Sequence, residues 1–372
     1  MKDTILFGDC KETLSAFLPQ SARTCVTSPP YYGLRDYGTA TWIGGDPNCK
    51  HRKVGKQGSN CITGHKNHDD MGSVGDYIFK SVCPLCGAVR QDSQLGLEET
   101  PEEYIESLVS VFREVRNILT DDGTLWVNLG DSYYNYRPGK GQSYPKQSVS
   151  KTKQDLPDEC NKRGNKLDGL KEKDLIGIPW MFAFAMRNDG WYLRQDIIWH
   201  KPNPMPESVK DRCTKSHEYI FLFSKNRKYF YDNEAIKEPA KDWGTRDRTK
   251  GKYHNTGTGL QPHSGLTKSY ERKNKRSVWS VTVKPYKEAH FATYPPDLIE
   301  PCILAGSEEG DTILDPFMGA GTTAAVAKSL GRYYLGCELN EDYGNLIQKR
   351  IQDYQPVNKV SQEPCINILD II

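Results

Sequence analysis

Asp311-Thr312-Ile313-Leu314-Asp315-Pro316-Phe317-Met318-Gly319-Ala320-Gly321-Thr322-Thr323 runs straight into residues 324–331 and then Arg332–Glu338. The stretch reads as strand, glycine turn, short helix and strand, with an acidic residue closing the second strand. Gly319 and Gly321 let the backbone approach a ligand closely and reach φ values that other residues avoid. Glu338 stands where a carboxylate takes ribose hydroxyls in nucleotide-binding βαβ units. The turn alone is equally at home in a nicotinamide dehydrogenase, so a second motif has to decide.

That motif lies nearly 290 residues upstream, at Thr27-Ser28-Pro29-Pro30-Tyr31-Tyr32-Gly33. It follows Thr24-Cys25-Val26, a short apolar run that reads as a buried strand ending at Ser28. Two consecutive prolines fix φ and remove two backbone donors, so the chain leaves the strand in one rigid shape. A hydroxyl, free carbonyls and an aromatic ring are presented together, which suits a planar ring bearing an amino group. A dehydrogenase has no use for such a set.

Together the two motifs resemble the S-adenosylmethionine-dependent DNA methyltransferases that act on exocyclic nitrogens of cytosine or adenine. Ser28, Pro29, Pro30 and Tyr31 resemble that family's catalytic tetrapeptide. Residues 315–322 resemble its cofactor loop, with Asp315, Phe317, Gly319, Gly321 and Thr322 at the cofactor, and Glu338 resembles its ribose-binding acid. The catalytic motif precedes the cofactor motif, as in the circularly permuted β-type order. His290–Ile299 resembles the segment that covers the methionine end, which implicates Thr293, and Phe7–Leu14 resembles the segment whose acid, Asp9, meets the cofactor's adenine. The resemblance implies a permuted Rossmann-like sheet of seven strands, double-stranded DNA as partner, a cognate restriction endonuclease in some settings, and a cytoplasmic enzyme of a prokaryote or phage.

The chemistry explains these residue types. The amine of cytosine or adenine is a poor nucleophile because its lone pair is delocalised into the ring. Acceptors at both N–H bonds, here the Ser28 hydroxyl and the Pro29 carbonyl, pull the nitrogen toward tetrahedral geometry and stabilise the growing positive charge. Tyr31 can stack on an extruded base and, with Pro30, hold it near the methyl group. Both amines present the same geometry to these acceptors; the resemblance implies cytosine N4 ahead of adenine N6, because Ser at the first position is more usual among the family's cytosine enzymes. Methylation at carbon 5 would need a cysteine nucleophile, yet Cys302 and Cys365, the cysteines that follow prolines, both lie far from the Ser28 loop.

At 372 residues the chain can bury one large core with inserted modules. No run of 18 apolar residues or secretory signal is read, so the eleven cysteines are expected as thiols or metal ligands. Net charge is only +2, but residues 241–287 hold twelve Lys or Arg against three acids, and residues 137–171 hold nine against four. Beside a base-flipping motif these stretches are expected to contact phosphate. A basic target-recognition region is placed at 237–287, with Arg246, Arg248, Arg272, Lys273, Lys275 and Arg276 as contacts.

Residues 43–94 interrupt the α/β pattern with two ligand pairs, Cys49-x-His51 and Cys83-x-x-Cys86-Gly87. Two thiolates on such a turn fit one tetrahedral ion, so a structural Zn²⁺ is assigned to Cys49, His51, Cys83 and Cys86, with Cys61, His65 and His68 as competitors. A zinc module that binds nucleic acid without catalysis would explain this insert and the basic stretches, but would leave the cofactor motif idle. Elsewhere, helices are expected at 101–119 and 173–187, the latter bent or divided by Pro179. Strands are expected at 124–129, 193–199, 218–223 and 229–231.

Overall fold

The computed structural model describes residues 2–33, 41–53, 77–78, 82–91, 94–134, 167, 169–240, 271–284 and 293–354. Its strands in chain order are β1 (Thr4–Phe7), β2 (Ala22–Thr27), β3 (Thr41–Ile43), β4 (Arg52–Lys53), β5 (Tyr77–Ile78), β6 (Val89–Gln91) and β7 (Leu119–Leu129). There follow β8 (Tyr192–His200), β9 (His217–Ser224), β10 (Glu238–Pro239), β11 (Arg272–Lys273), β12 (Val278–Ser280), β13 (Thr312–Asp315) and β14 (Tyr333–Glu338). The helices are α1 (Cys10–Thr13), α2 (Pro101–Ile118), α3 (Ile178–Asn188), α4 (Pro296–Gly306), α5 (Thr322–Ser329) and α6 (Tyr343–Asp353).

Eight strands form the main sheet in the order β1-β14-β13-β2-β7-β9-β8-β12. Only β9 runs antiparallel to its neighbours. The resemblance implies seven strands, and the main sheet has eight, including the three-residue edge strand β12 beside β8. Side-chain alternation divides the core in two. Cys25, Leu125 and Val127 pack with α2 and α3 on one face, while Val26 and Trp126 pack with α4, α5 and α6 on the other. The sheet is therefore covered on both sides, as near-continuous apolar strands require.

Local chemistry sets the boundaries. At α2, Thr100 Oγ1 accepts from Glu103 N at 3.2 Å and Glu103 Oε2 accepts from Thr100 N at 3.3 Å, a reciprocal cap with Pro101 in the first turn. The expected helix over 173–187 begins only at Ile178, because Pro179 belongs in a first turn rather than an interior. Its free N–H groups are capped from elsewhere in the fold: Asp131 Oδ1 accepts from Gly177 N at 3.1 Å and Ile178 N at 3.2 Å. Residues 229–231 are not a strand; Tyr231 instead stacks on Trp126, ring centroids 6.3 Å apart.

Candidate active site

The parallel strands all end on one side of the sheet, and a cleft of about 370 Å³ opens there. That volume suits a small-molecule cofactor, and the carboxyl ends of parallel strands are where α/β sheets bind ligands. Ser28, Pro29, Pro30 and Tyr31, beyond β2, form one part of the wall. Asp9 beyond β1, Glu338 at the end of β14, Phe317, Gly319 and Thr322 after β13, and Thr293 before α4 form another. Two distant motifs thus share one cavity.

Asp315 and Gly321 stand behind this wall rather than in it. Asp315 is fully buried. Its Oδ1 accepts from Thr27 Oγ1 at 2.6 Å and Phe317 N at 3.0 Å, and its Oδ2 accepts from Thr323 Oγ1 at 2.5 Å and Tyr294 OH at 3.1 Å. One carboxyl group therefore ties the root of the catalytic loop to the glycine loop and to the segment before α4. Burial pushes its pKa up, against the pull of those donors. In this position it acts as a strut between those segments. Gly321, at φ 79°, precedes α5, and a side chain there would meet Ile347 Cγ2 at 2.8 Å.

Glu338 joins the two cofactor elements. Its Oε2 accepts from Gly319 N at 2.7 Å and its Oε1 from Asn340 N at 2.9 Å. Burial raises its pKa, and these backbone donors oppose the rise. Asp9 caps α1 through its Oδ1, which accepts from Lys11 N at 2.9 Å.

The side of the cleft formed by Ser28 to Tyr31 is organised by residues that sequence reasoning missed. Asn128 Oδ1 accepts from Ser28 Oγ at 3.4 Å, which turns the hydroxyl proton inward and leaves oxygen lone pairs free. The Tyr31 hydroxyl lies 2.7 Å from Glu218 Oε2 and 3.0 Å from Asn128 Oδ1. Burial, then the Glu218 charge, pushes the Tyr31 pKa well up, so the phenol stays neutral and donates. Glu218 also pairs with Lys201, whose ammonium sits 4.3 Å from the centroid of the Trp199 ring. The Tyr31 ring packs so tightly on Gly130 that a Cβ there would come within 2.6 Å of its Cε2. Asn128, Trp199, Lys201 and Glu218 all line the cleft. Their signal was present: Asn128 and Trp199 close predicted strands at the end where an α/β sheet carries its site.

Cys49, His51, Cys83 and Cys86 converge outside the cleft, their ligand atoms all within 4.8 Å of one another. Arg272 and Lys273 lie on the β10–β11 pair, where Arg276 meets Glu238 at 3.0 Å and Lys273 meets it at 4.0 Å. Arg272 donates to the Lys237 carbonyl at 2.9 Å, and Lys275 lies 5.0 Å from the centroid of the Trp279 ring. Arg246, Arg248, Cys61, His65, His68, Cys365 and most of the 137–171 stretch lie outside the described residues. Cys302 is buried in α4, where burial raises its thiol pKa, so it offers no nucleophile to the cleft. No helix among the described residues is long and apolar enough to cross a membrane.

Comparison with known proteins decides the family. A family model described as DNA methylase, of the N6 and N4 methyltransferases, matches residues 22–349. The chain belongs to this amino-methylating DNA methylase family. Among its relatives, the type II methyltransferase M.XycI of Xanthomonas campestris pv. cyanopsidis is 39% identical over 349 residues, covering 94% of this chain and 87% of that protein. M.SmaI of Serratia marcescens is 39% identical over 352 residues, covering 93% and 90%. The solved PvuII DNA methyltransferase, described as cytosine-N4-specific, superposes with a TM-score of 0.54 at 16% identity, covering 97% of this chain and 89% of that one. The DNA methylase thus shares its mixed α/β sheet with a methyltransferase of low sequence identity.

Proposed function

We propose that this DNA methylase transfers a methyl group from S-adenosylmethionine to the N4 amine of cytosine at a specific sequence in double-stranded DNA. One observation carries the reading: Ser28, with its proton directed at Asn128, opens into the same cleft as Glu338 and the glycine loop. Asp9, Thr293, Phe317, Gly319, Thr322 and Glu338 would hold the cofactor, Asp315 and Gly321 would shape the loop, and a cleft of about 370 Å³ with two acids, Asp9 and Glu338, in that part of its lining fits it. S-adenosylmethionine, when bound, supplies a methyl group activated on a sulfonium.

Ser28 Oγ and the Pro29 carbonyl would accept the two N–H bonds of the target amine and stabilise its charge as it attacks. Tyr31 would hold the base, its ring fixed by Gly130 and its hydroxyl by Glu218. Ser28 is the feature that favours cytosine. The catalytic segment preceding the cofactor segment supports the permuted order within one catalytic core spanning 1–372, carrying inserts at 43–94 and 237–287. Methylome sequencing of DNA from a methylation-free host expressing the chain should show N4-methylcytosine at one sequence. N6-methyladenine there would transfer the assignment to adenine, and unmodified DNA would defeat it. A cognate endonuclease belongs to the same reading, as type II relatives carry the methyltransferase half of such systems by name.

The basic region is assigned to phosphate contact. The ion pairs of Arg276 and Lys273 with Glu238 are at the surface, with the Arg276 side chain 73% exposed, so they compete weakly with phosphate. Replacing Arg272, Lys273, Lys275 and Arg276 by Gln should weaken DNA binding and reduce the slope of log K against log salt by about one unit for each phosphate left without its cation. An unchanged slope would make them solvated charges only.

Zn²⁺ is assigned to the four-residue cluster. A tetrahedral ion with bonds of ~2.3 Å to sulfur and ~2.0 Å to nitrogen would set S–S edges of ~3.8 Å and S–N edges of ~3.5 Å. The Cys49 and Cys83 sulfurs lie 3.7 Å apart, and Cys86 Sγ lies 3.4 Å from His51 Nδ1.

A further inference from the structure

The loop between β8 and β9 carries a side chain that the methyl-transfer chemistry leaves unused. Of the large apolar side chains exposed on the described surface, Met205 is the most exposed, at 86%. A single exposed apolar residue is ordinary on a protein surface. What distinguishes this one is how rigidly the chain presents it.

Met205 is flanked by Pro204 and Pro206, which fix their own φ and restrict the residues before them. On one side, Asn203 is clamped to the backbone of Val283, its Nδ2 donating to the Val283 carbonyl at 3.1 Å and its Oδ1 accepting from Val283 N at 3.0 Å. On the other, the Glu207 carboxylate accepts from Arg212 Nη1 at 2.5 Å and Lys215 N at 3.5 Å. Lys201 N donates to the Ser216 carbonyl at 2.8 Å and closes the loop at its base. Val283 and Lys201 both line the cleft. Two residues of chain reach at most ~7 Å, so the Met205 backbone lies within that distance of its clamp on the cleft wall.

An enzyme that works on a base within a duplex must draw it out of the stack, and an apolar side chain inserted between base steps unstacks a duplex locally. Such a wedge has to be apolar, solvent-exposed, stiff and beside the mouth of the base pocket. We propose that Met205 is this wedge: it enters the duplex where the target base leaves it and holds that base in the cleft. The proposal rests on the reading of the chain as an enzyme acting on an extruded base.

The test compares two duplex oligonucleotides bearing the sequence that methylome sequencing assigns. One is intact; the other has an abasic site opposite the target base, which removes the pairing that a wedge has to replace. Met205→Ala should lower kcat/KM on the intact duplex by about tenfold or more and recover most of that loss on the abasic one. Met205→Leu, which keeps the apolar bulk, should stay within about threefold of the wild type on both. S-adenosylmethionine affinity should be unchanged in either variant, which also reports that they fold. Full activity of Met205→Ala on the intact duplex, or an equal loss on both, would overturn the proposal. A wild-type protein that methylates neither duplex would instead remove the methyltransferase reading beneath it.

Discussion

Tyr31→Ala is expected to lose about 100-fold or more in methyl transfer while S-adenosylmethionine binds with wild-type affinity. A stacking platform for a base is worth on the order of 1–3 kcal/mol, and misplacing a reacting group by an ångström adds about 100-fold in rate. Both losses fall on one residue because the Tyr31 ring is held twice, by its fit against Gly130 and by its hydroxyl 2.7 Å from Glu218. Tyr31→Phe keeps the ring and gives up only the hydroxyl contact, so it should retain most of what Tyr31→Ala loses. The cofactor wall at Asp9, Glu338 and the glycine loop belongs to other strands. Single-turnover methylation measured beside calorimetric cofactor binding separates the two sides of the cleft. Near-normal turnover in Tyr31→Ala would remove the tetrapeptide from the chemistry.

Much of this arrangement was legible in the sequence where one local rule dominated. The strand, turn, helix and strand around residues 312–338 follow from apolar runs broken by glycines, and α2 from an apolar stripe behind Thr100 and Glu103. Elements that depend on distant partners were less legible. Helix α3 starts at Ile178 because Asp131, 46 residues upstream, accepts its first N–H groups. The run at 229–231 has strand-like residues, but those residues pack against Trp126 and Asp122 instead of a ladder partner.

The site divides in the same way. Residues that line the cleft through a fixed local motif, such as Ser28 and Gly319, could be picked out one by one. Asn128 on β7, Glu218 on β9 and Lys201 just past the end of β8 act through one another, and these strands adjoin only when the sheet forms. Asp315 is the opposite case. Its place in the cofactor motif assigns it to the cofactor, and in the fold four donors from three segments also make it the buried joint that sets the loop. A carboxylate in a binding motif can be prized for the segments it ties together.

Purified protein is expected to hold about one zinc per chain, and Cys83→Ser to lose both the metal and thermal stability. The cluster joins two parts of the insert that the sequence separates by more than thirty residues. Cys49 and His51 come from one side, Cys83 and Cys86 from the other, and the backbone beside them is paired only over the three residues of β3 with β6 and the two of β4 with β5 among the described strands. A strand pair that short is marginal in water, so most of the local folding energy has to come from the metal. The knuckle is built for tight closure: Cys83 N donates to the Ala88 carbonyl and Gly87 N to the Cys83 carbonyl, each at 2.8 Å, while Trp42 stacks on His51 with ring centroids 4.4 Å apart. Four protein ligands would leave a bound ion no open position, so its loss should act through stability and not through the chemistry of the methyl group. Elemental analysis and thermal melting before and after chelation check this together. Metal-free protein with full stability would end the assignment. Zinc kept by Cys49→Ser but lost on replacing Cys61 or His65 would preserve the site and change its ligands.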